Sequence, residues 1–336
     1  MVSSAAWLAG EQGLPWIALA VLGALARVAE TSAVVFQRDI ALGRPFAARA
    51  LGATLRLGLI AALALRPGLG FGPFLLAHAG SLALGNVTVH FLACTHLPPR
   101  APPLEGFLAR AWPLALTGLL QQAYFYADNG FVRAFAGEAE LGRYNAAVRL
   151  FQWLAFFAAF ATTSALPWLA RRHTERSLGA AVGELTVPLL LFACFACGVL
   201  VPWRQALLAL AYGPTFVAAA PSLTWLLAAL IPVALGAAGL TAVIAAGEAR
   251  AALAIAAGAL AVNLFGNALL VPRFGAEGAA WMTFATEASV ATGAWIALGR
   301  LGAWPRVAPS RMVLAALVLG LSGLASRALS HALASV

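Results

Sequence analysis

The sequence predicts an all-α polytopic integral membrane protein with about ten transmembrane helices. Three observations carry this expectation. Hydrophobic residues make up 62% of the 336 residues and charged residues only 10%, whereas a soluble domain carries about 25% charge. Mean hydropathy is +0.88. Apolar stretches of about 20 residues recur from end to end, and they are continuous rather than alternating, which argues against a β-barrel. Helices are also what a bilayer demands, because every backbone polar group must be satisfied internally.

In chain order the predicted spans are 13–35, 48–66, 71–95, 106–128, 145–168, 180–203, 217–245, 249–271, 276–299 and 312–332. The connections are short and carry Gly, Pro and Arg, as in RPGLG (66–70), LPPRAPP (97–103), VPRFGAEG (271–278) and WPRVAPSR (304–311). Such residues punctuate helices rather than continue them. No long hydrophilic stretch interrupts the series, so a soluble catalytic domain is not expected.

The net charge of +9 is entirely arginine on the basic side, with no lysine. These arginines are scattered through the connections, singly or as Arg171-Arg172. No clustered patch forms of the kind a phosphate footprint needs, so nucleic acid is not an expected partner. The positive-inside rule explains them better. Connections after the odd-numbered spans, with Arg110 beside them, hold twelve: Arg38, Arg44, Arg49, Arg100, Arg110, Arg171, Arg172, Arg176, Arg250, Arg300, Arg306 and Arg311. The opposite side holds six: Arg66, Arg133, Arg143, Arg204, Arg273 and Arg327. The richer side is placed in the cytoplasm, and the N-terminus outside. No basic segment precedes the first span, since the first arginine is Arg27, so no signal peptide is read. Cys94, Cys194 and Cys197 lie in apolar segments. The CFAC spacing (194–197) reads as small apolar residues in a helix, not a redox site.

Polar side chains at bilayer depth by default face the bundle interior or a water-filled cavity. The candidates are Arg27 and Glu30 in span one; Gln121, Gln122, Tyr124 and Asp128 in span four; Asn145, Arg149 and Gln152 in span five; Asn263 and Asn267 in span eight; and Glu287 in span nine. Gln121 and Asp128 share one helix face, as do Asn145, Arg149 and Gln152. Spans four and five are antiparallel neighbours, so Asp128 is expected near Arg149 or Arg143. Plainer readings stand beside these. Asn263 and Asn267 read equally as an interhelical hydrogen-bonding pair. Asp128 also reads as an interfacial or capping group, and Arg149 can snorkel. His78, Asn86, His90 and Glu184 are further polar positions. No phosphate-cradling Gly-rich loop, metal-ligand cluster or nucleophile site is evident, so no enzyme and no cofactor are expected.

Four stretches carry a family resemblance: FLARAWPLALTGLLQQAYFYADNGFVRAFAGEAELGRYNAAVRL (107–150), ALPWLARRH (165–173), LLALAYGPTFVAAAP (207–221) and NLFGNALLVPRFGAEGAAWMTFATE (263–287). In this order they resemble the polysaccharide-flippase branch of the multidrug/oligosaccharidyl-lipid/polysaccharide exporter superfamily. The resemblance implies a MATE-like fold of two six-helix bundles around a cavity. Span four then matches the family's seventh helix, with Asp128 the acidic residue at its end. Residues 1–103 would be a partial N-terminal bundle of three spans, 104–299 the C-terminal six-helix bundle, and 300–336 an additional helix. Three helices would be missing at the N-terminus, which suits an N-terminus placed outside. The implied activity is flipping of a polyprenyl-pyrophosphate-linked oligosaccharide across the bacterial inner membrane, coupled to protons or sodium. Membrane lipids, and a polysaccharide polymerase or glycosyltransferase, would be its partners. The alternatives are an ion-coupled exporter of drugs or other small molecules, a cell-wall precursor flippase, and a non-transporting partner of a polysaccharide assembly complex. An integral-membrane polymerase or transferase would need a large loop or a clustered acidic or histidine site that the sequence lacks.

Overall fold

The computed structural model describes residues 21–24, 36, 43–66, 68–94, 106–305 and 309–334. Among these residues the chain is helical throughout, with no strand. The helices are α1 (Gly43–Ala64), α2 (Phe71–Cys94), α3 (Phe107–Ala136), α4 (Glu138–Thr174), α5 (Leu178–Leu200), α6 (Arg204–Tyr212), α7 (Ala220–Ala245), α8 (Ala249–Arg300) and α9 (Pro309–Ala334). Six of the described helices are long and apolar enough to cross a membrane. Of span one of the sequence reading only residues 21–24 are described, and Arg27 and Glu30 lie outside the described residues.

The chain divides into two compact units, Met1–Pro103 and Leu104–Val336. In the first, α1 packs against α2 through glycine. A Cβ on Gly52 would lie 3.1 Å from the Ser81 carbonyl oxygen and 3.2 Å from the Gly85 Cα. Small residues let helix backbones approach where no hydrophobic force drives apolar helices together.

In the second unit, α7 is the central post, packed against α4, α5 and α8. Its contact with α8 again runs through small residues, Gly236 on Ala291 and Gly239 on Ala294. Trp295 adds a hydrogen bond to the Leu235 carbonyl at 3.2 Å. On the far side of α5, α9 is tied by Ser326, whose hydroxyl donates to the Val199 carbonyl at 2.8 Å. Cys194 and Cys197 are buried free thiols in α5.

The 52 residues of α8 are two helices. A straight helix of that length would run about 78 Å, more than twice the ~30 Å hydrocarbon core. The break is Gly275, with φ 55° and ψ −137°, a conformation open to glycine and strained for other residues. The contacts of the two halves run in reverse register. Ile255 meets Gly293, Asn263 bonds Thr286, Gly266 meets Met282 and Leu270 meets Gly278. Residues 249–274 and 276–300 therefore form an antiparallel hairpin, matching predicted spans eight and nine.

The hairpin of α3 and α4 differs from expectation. Residues 129–144, expected to connect two spans, are helical apart from Gly137. The expectation failed because hydropathy marks where a helix is apolar, not where it stops. Gly137 (φ 86°, ψ 172°) makes the turn alone, and Glu138 and Glu140 sit in the first turn of α4, where the helix dipole favours acids. Asp128 is consequently not at the end of its helix. It lies about 13 Å along α3 from the turn, at 1.5 Å per residue.

The surface is apolar, and polar side chains are buried among the helices. Trp153 is 80% exposed, Phe265 75% and Leu51 68%, while Asp128, Asn263 and Asn267 are buried. Water would not tolerate that inversion, and lipid favours it. The protein is a multi-pass helical membrane protein.

Candidate functional site

Three helices converge on Asp128. From α3 its carboxylate reaches the α8 hairpin and the first turns of α4. Oδ1 accepts from Asn267 Nδ2 at 2.8 Å and from Asn263 Nδ2 at 3.0 Å. Oδ2 accepts from Thr283 Oγ1 at 2.8 Å and from Tyr144 Oη at 3.1 Å. Asn263 and Asn267 are one helical turn apart, so both amides point the same way. They are also bonded to each other at 3.1 Å, and Asn263 reaches Thr286 at 3.3 Å. Counted along the helices, these groups lie roughly 10–18 Å from the Gly137 and Gly275 turns, near half the thickness of a hydrocarbon core.

The expected pairing of Asp128 with Arg149 or Arg143 is thus corrected. Four uncharged donors surround the carboxylate instead. The reason is register. Tyr144 takes the α4 position facing Asp128, and successive helical residues point about 100° apart, which turns Arg143 away. The interfacial reading of Asp128 fails too, since the residue is only 5% exposed.

A cavity of about 240 Å³ opens beside this cluster. Asp128, Tyr124, Asn145, Arg149, Gln152, Asn263 and Glu287 all line it, as the sequence suggested. Tyr124 on α3 and Glu287 on α8 line it together. Gln121, Gln122 and Asn267 are not in its wall; Gln122 is exposed, one residue round the helix from Gln121. Arg149 is exposed at the cavity and lies about 18 Å along α4 from the turn. Among the described residues no acid pairs with it; the ion pairs are Arg133–Glu138, Arg172–Glu175 and Arg172–Glu184. Glu184 is therefore held at the α4–α5 corner, away from the cavity. Among the described residues no three His, Cys, Asp or Glu gather as a metal cluster.

Sequence reasoning missed Tyr144, Thr283 and Thr286. A signal was present for the threonines. Thr283, Thr286 and Glu287 fall at i, i+3 and i+4, a polar stripe on an otherwise apolar helix. Tyr144 gave no such signal, because a tyrosine at a helix start reads as interfacial.

These features are those of a multi-pass helical membrane protein with a partly polar cavity between its helices. Compared with family models, with curated proteins and with solved structures, the chain matches none.

Proposed function

We propose that the protein is a membrane transporter that flips a polyprenyl-pyrophosphate-linked oligosaccharide across a bacterial cytoplasmic membrane by alternating access. The observation that supports this most is Arg149. An unpaired arginine this far into a span is costly unless it faces water or a ligand, and it does face the polar cavity. Guanidinium binds pyrophosphate through paired hydrogen bonds. Asn145 and Gln152, on the same face, offer donors and acceptors for sugar hydroxyls. The cavity falls below the ~300–1,000 Å³ of a drug-sized site. It would take the pyrophosphate and adjoining sugar while the prenyl chain stays in lipid. The arginine-rich connections would face the cytoplasm.

The Asp128 cluster is the coupling element in this reading. Turning the Asn263 and Asn267 amides would present their oxygens beside the carboxylate and Thr283, a hard-oxygen set suited to a small cation. Asn267 Oδ1 is already buried without a hydrogen-bond partner. A proton or sodium ion arriving there would loosen α3 from the α8 hairpin and bias the conformational cycle.

The second reading is an ion-coupled exporter of small molecules. The modest cavity volume and its aromatic wall of Tyr124, Phe125, Tyr126 and Phe151 favour it. One binding experiment separates the two. Undecaprenyl pyrophosphate added to the purified protein should raise its thermal midpoint, and Arg149→Gln should remove most of the shift. No shift from the pyrophosphate lipid, with a shift from hydrophobic cationic dyes, would move the assignment to an exporter.

A further inference from the structure

Tyr144 borders two cavities. One is the central cavity beside Asp128. The other, about 280 Å³, lies toward the bundle end that carries the Gly137 and Gly275 turns, with Glu140, Arg143, Ser222 and Glu277 in its wall. The two turns lie at one end because Glu140 Oε1 accepts the Ala276 backbone N–H at 2.8 Å. The 3-10 turn Pro214–Ala219 closes the same end, contributing Ala218 and Ala219 to the wall. Between the two spaces stands the Tyr144 ring, 1% exposed, with its hydroxyl on Asp128.

We propose that Asp128 is reached from the turn-bearing end of the bundle, through this vestibule, and that the Tyr144 side chain is the gate between the vestibule and the central cavity. This rests on the reading of Asp128 as the coupling group. It adds a route for water and small cations separate from the path of the large substrate. The vestibule suits that traffic. It is polar and charged of both signs, and two of its three charged side chains are acids. Tyr144 suits a gate, because its hydroxyl bonds Asp128 and lies 3.5 Å from Thr283. A rotation of the ring breaks these contacts and opens a gap to the carboxylate, without moving a helix. A coupling ion could then load from one side of the membrane while the central cavity faces the other. Tyr144 here is a positioning and gating residue, not a substrate contact.

The test is thiol accessibility in the full chain, in sealed vesicles of both orientations, with Cys94, Cys194 and Cys197 replaced by Ala. The probe is a membrane-impermeant cationic methanethiosulfonate. Ala139→Cys, exposed beside the turn, marks the turn-bearing face. Ser222→Cys should label from that face at least tenfold faster than from the other. Thr286→Cys, in the central cavity behind the gate, should be slow from that face. It should speed up at least tenfold when Tyr144→Ala is added, and stay slow with Tyr144→Phe, which keeps the ring. Ser222→Cys silent from the marked face would overturn the vestibule. Thr286→Cys unaffected by Tyr144→Ala, or opened by Tyr144→Phe alone, would overturn the gate. Should Tyr144→Ala not fold, the Ser222→Cys and Tyr144→Phe arms still decide. Labelling needs no transport. An Asp128→Asn variant that transports normally would sink the coupling reading and leave the route standing, and the reverse result would do the opposite.

Discussion

The Asn267 side chain donates to the Asp128 carboxylate at 2.8 Å, joining residues 139 apart in sequence. Together with the Asn263, Thr283 and Tyr144 bonds, it fastens α3 to the α8 hairpin and to the start of α4. Asp128→Ala would leave those four donors without their acceptor in an apolar bundle. A buried unsatisfied polar group costs about 1–3 kcal/mol, so the thermal midpoint in detergent should fall clearly. Asp128→Asn keeps an acceptor oxygen and should fall less. A midpoint unchanged by the alanine would mean the cluster is not a structural tie.

Gly275→Ala should destabilise the protein by about 1–3 kcal/mol, the range for a residue forced into a sparsely populated backbone region. The glycine is at φ 55°, and an added Cβ would also run into the Glu140 carboxylate. Thermal unfolding in detergent reads this directly. A neutral substitution would show that the hairpin turn has another conformation available.

Glu140→Ala removes the side chain that caps the second half of the hairpin, at Ala276. The loss of a helix-capping bond costs about 0.5–2 kcal/mol. Glu140→Gln keeps an acceptor and should recover most of it. Equal losses for both variants would point to the charge rather than the bond.

Arg149→Gln should leave stability within about 0.5 kcal/mol, as for an exposed side chain without partners. Binding of undecaprenyl pyrophosphate should drop at least tenfold, about 1.4 kcal/mol. Arg149→Lys should recover only part, because an ammonium lacks the paired geometry. Equal binding by all three chains would remove Arg149 from the site.

Much of this was legible in the sequence. Continuous apolar runs placed the long helices from 43 onward but not the short α6, and VPRFGAEG marked the connection in which the Gly275 turn lies. The shared face of Asn145, Arg149 and Gln152 was read correctly, because helical periodicity fixes it. What failed were facts set by tertiary register. Asp128 looked like the end of a helix because the charge interrupts the apolar run, yet buried hydrogen bonds let the helix continue to Ala136. Its partners looked cationic because arginines were the nearest charges. Uncharged groups took that place, since Tyr144 and not Arg149 faces it, and Thr283 arrives from about 150 residues away. Gln122 was named beside Gln121, yet neighbours on a helix point about 100° apart, and Gln122 is exposed.

The most direct test of the central claim is translocation by the full chain in proteoliposomes, using a fluorescent undecaprenyl-pyrophosphate oligosaccharide. The label crossing from inner to outer leaflet is read by impermeant quenching. Protein-dependent flipping is expected, at least tenfold slower with Arg149→Gln and responsive to a sodium or proton gradient only while Asp128 is present. Flipping no faster than in protein-free vesicles, or equal rates for the wild type and Arg149→Gln, would contradict it.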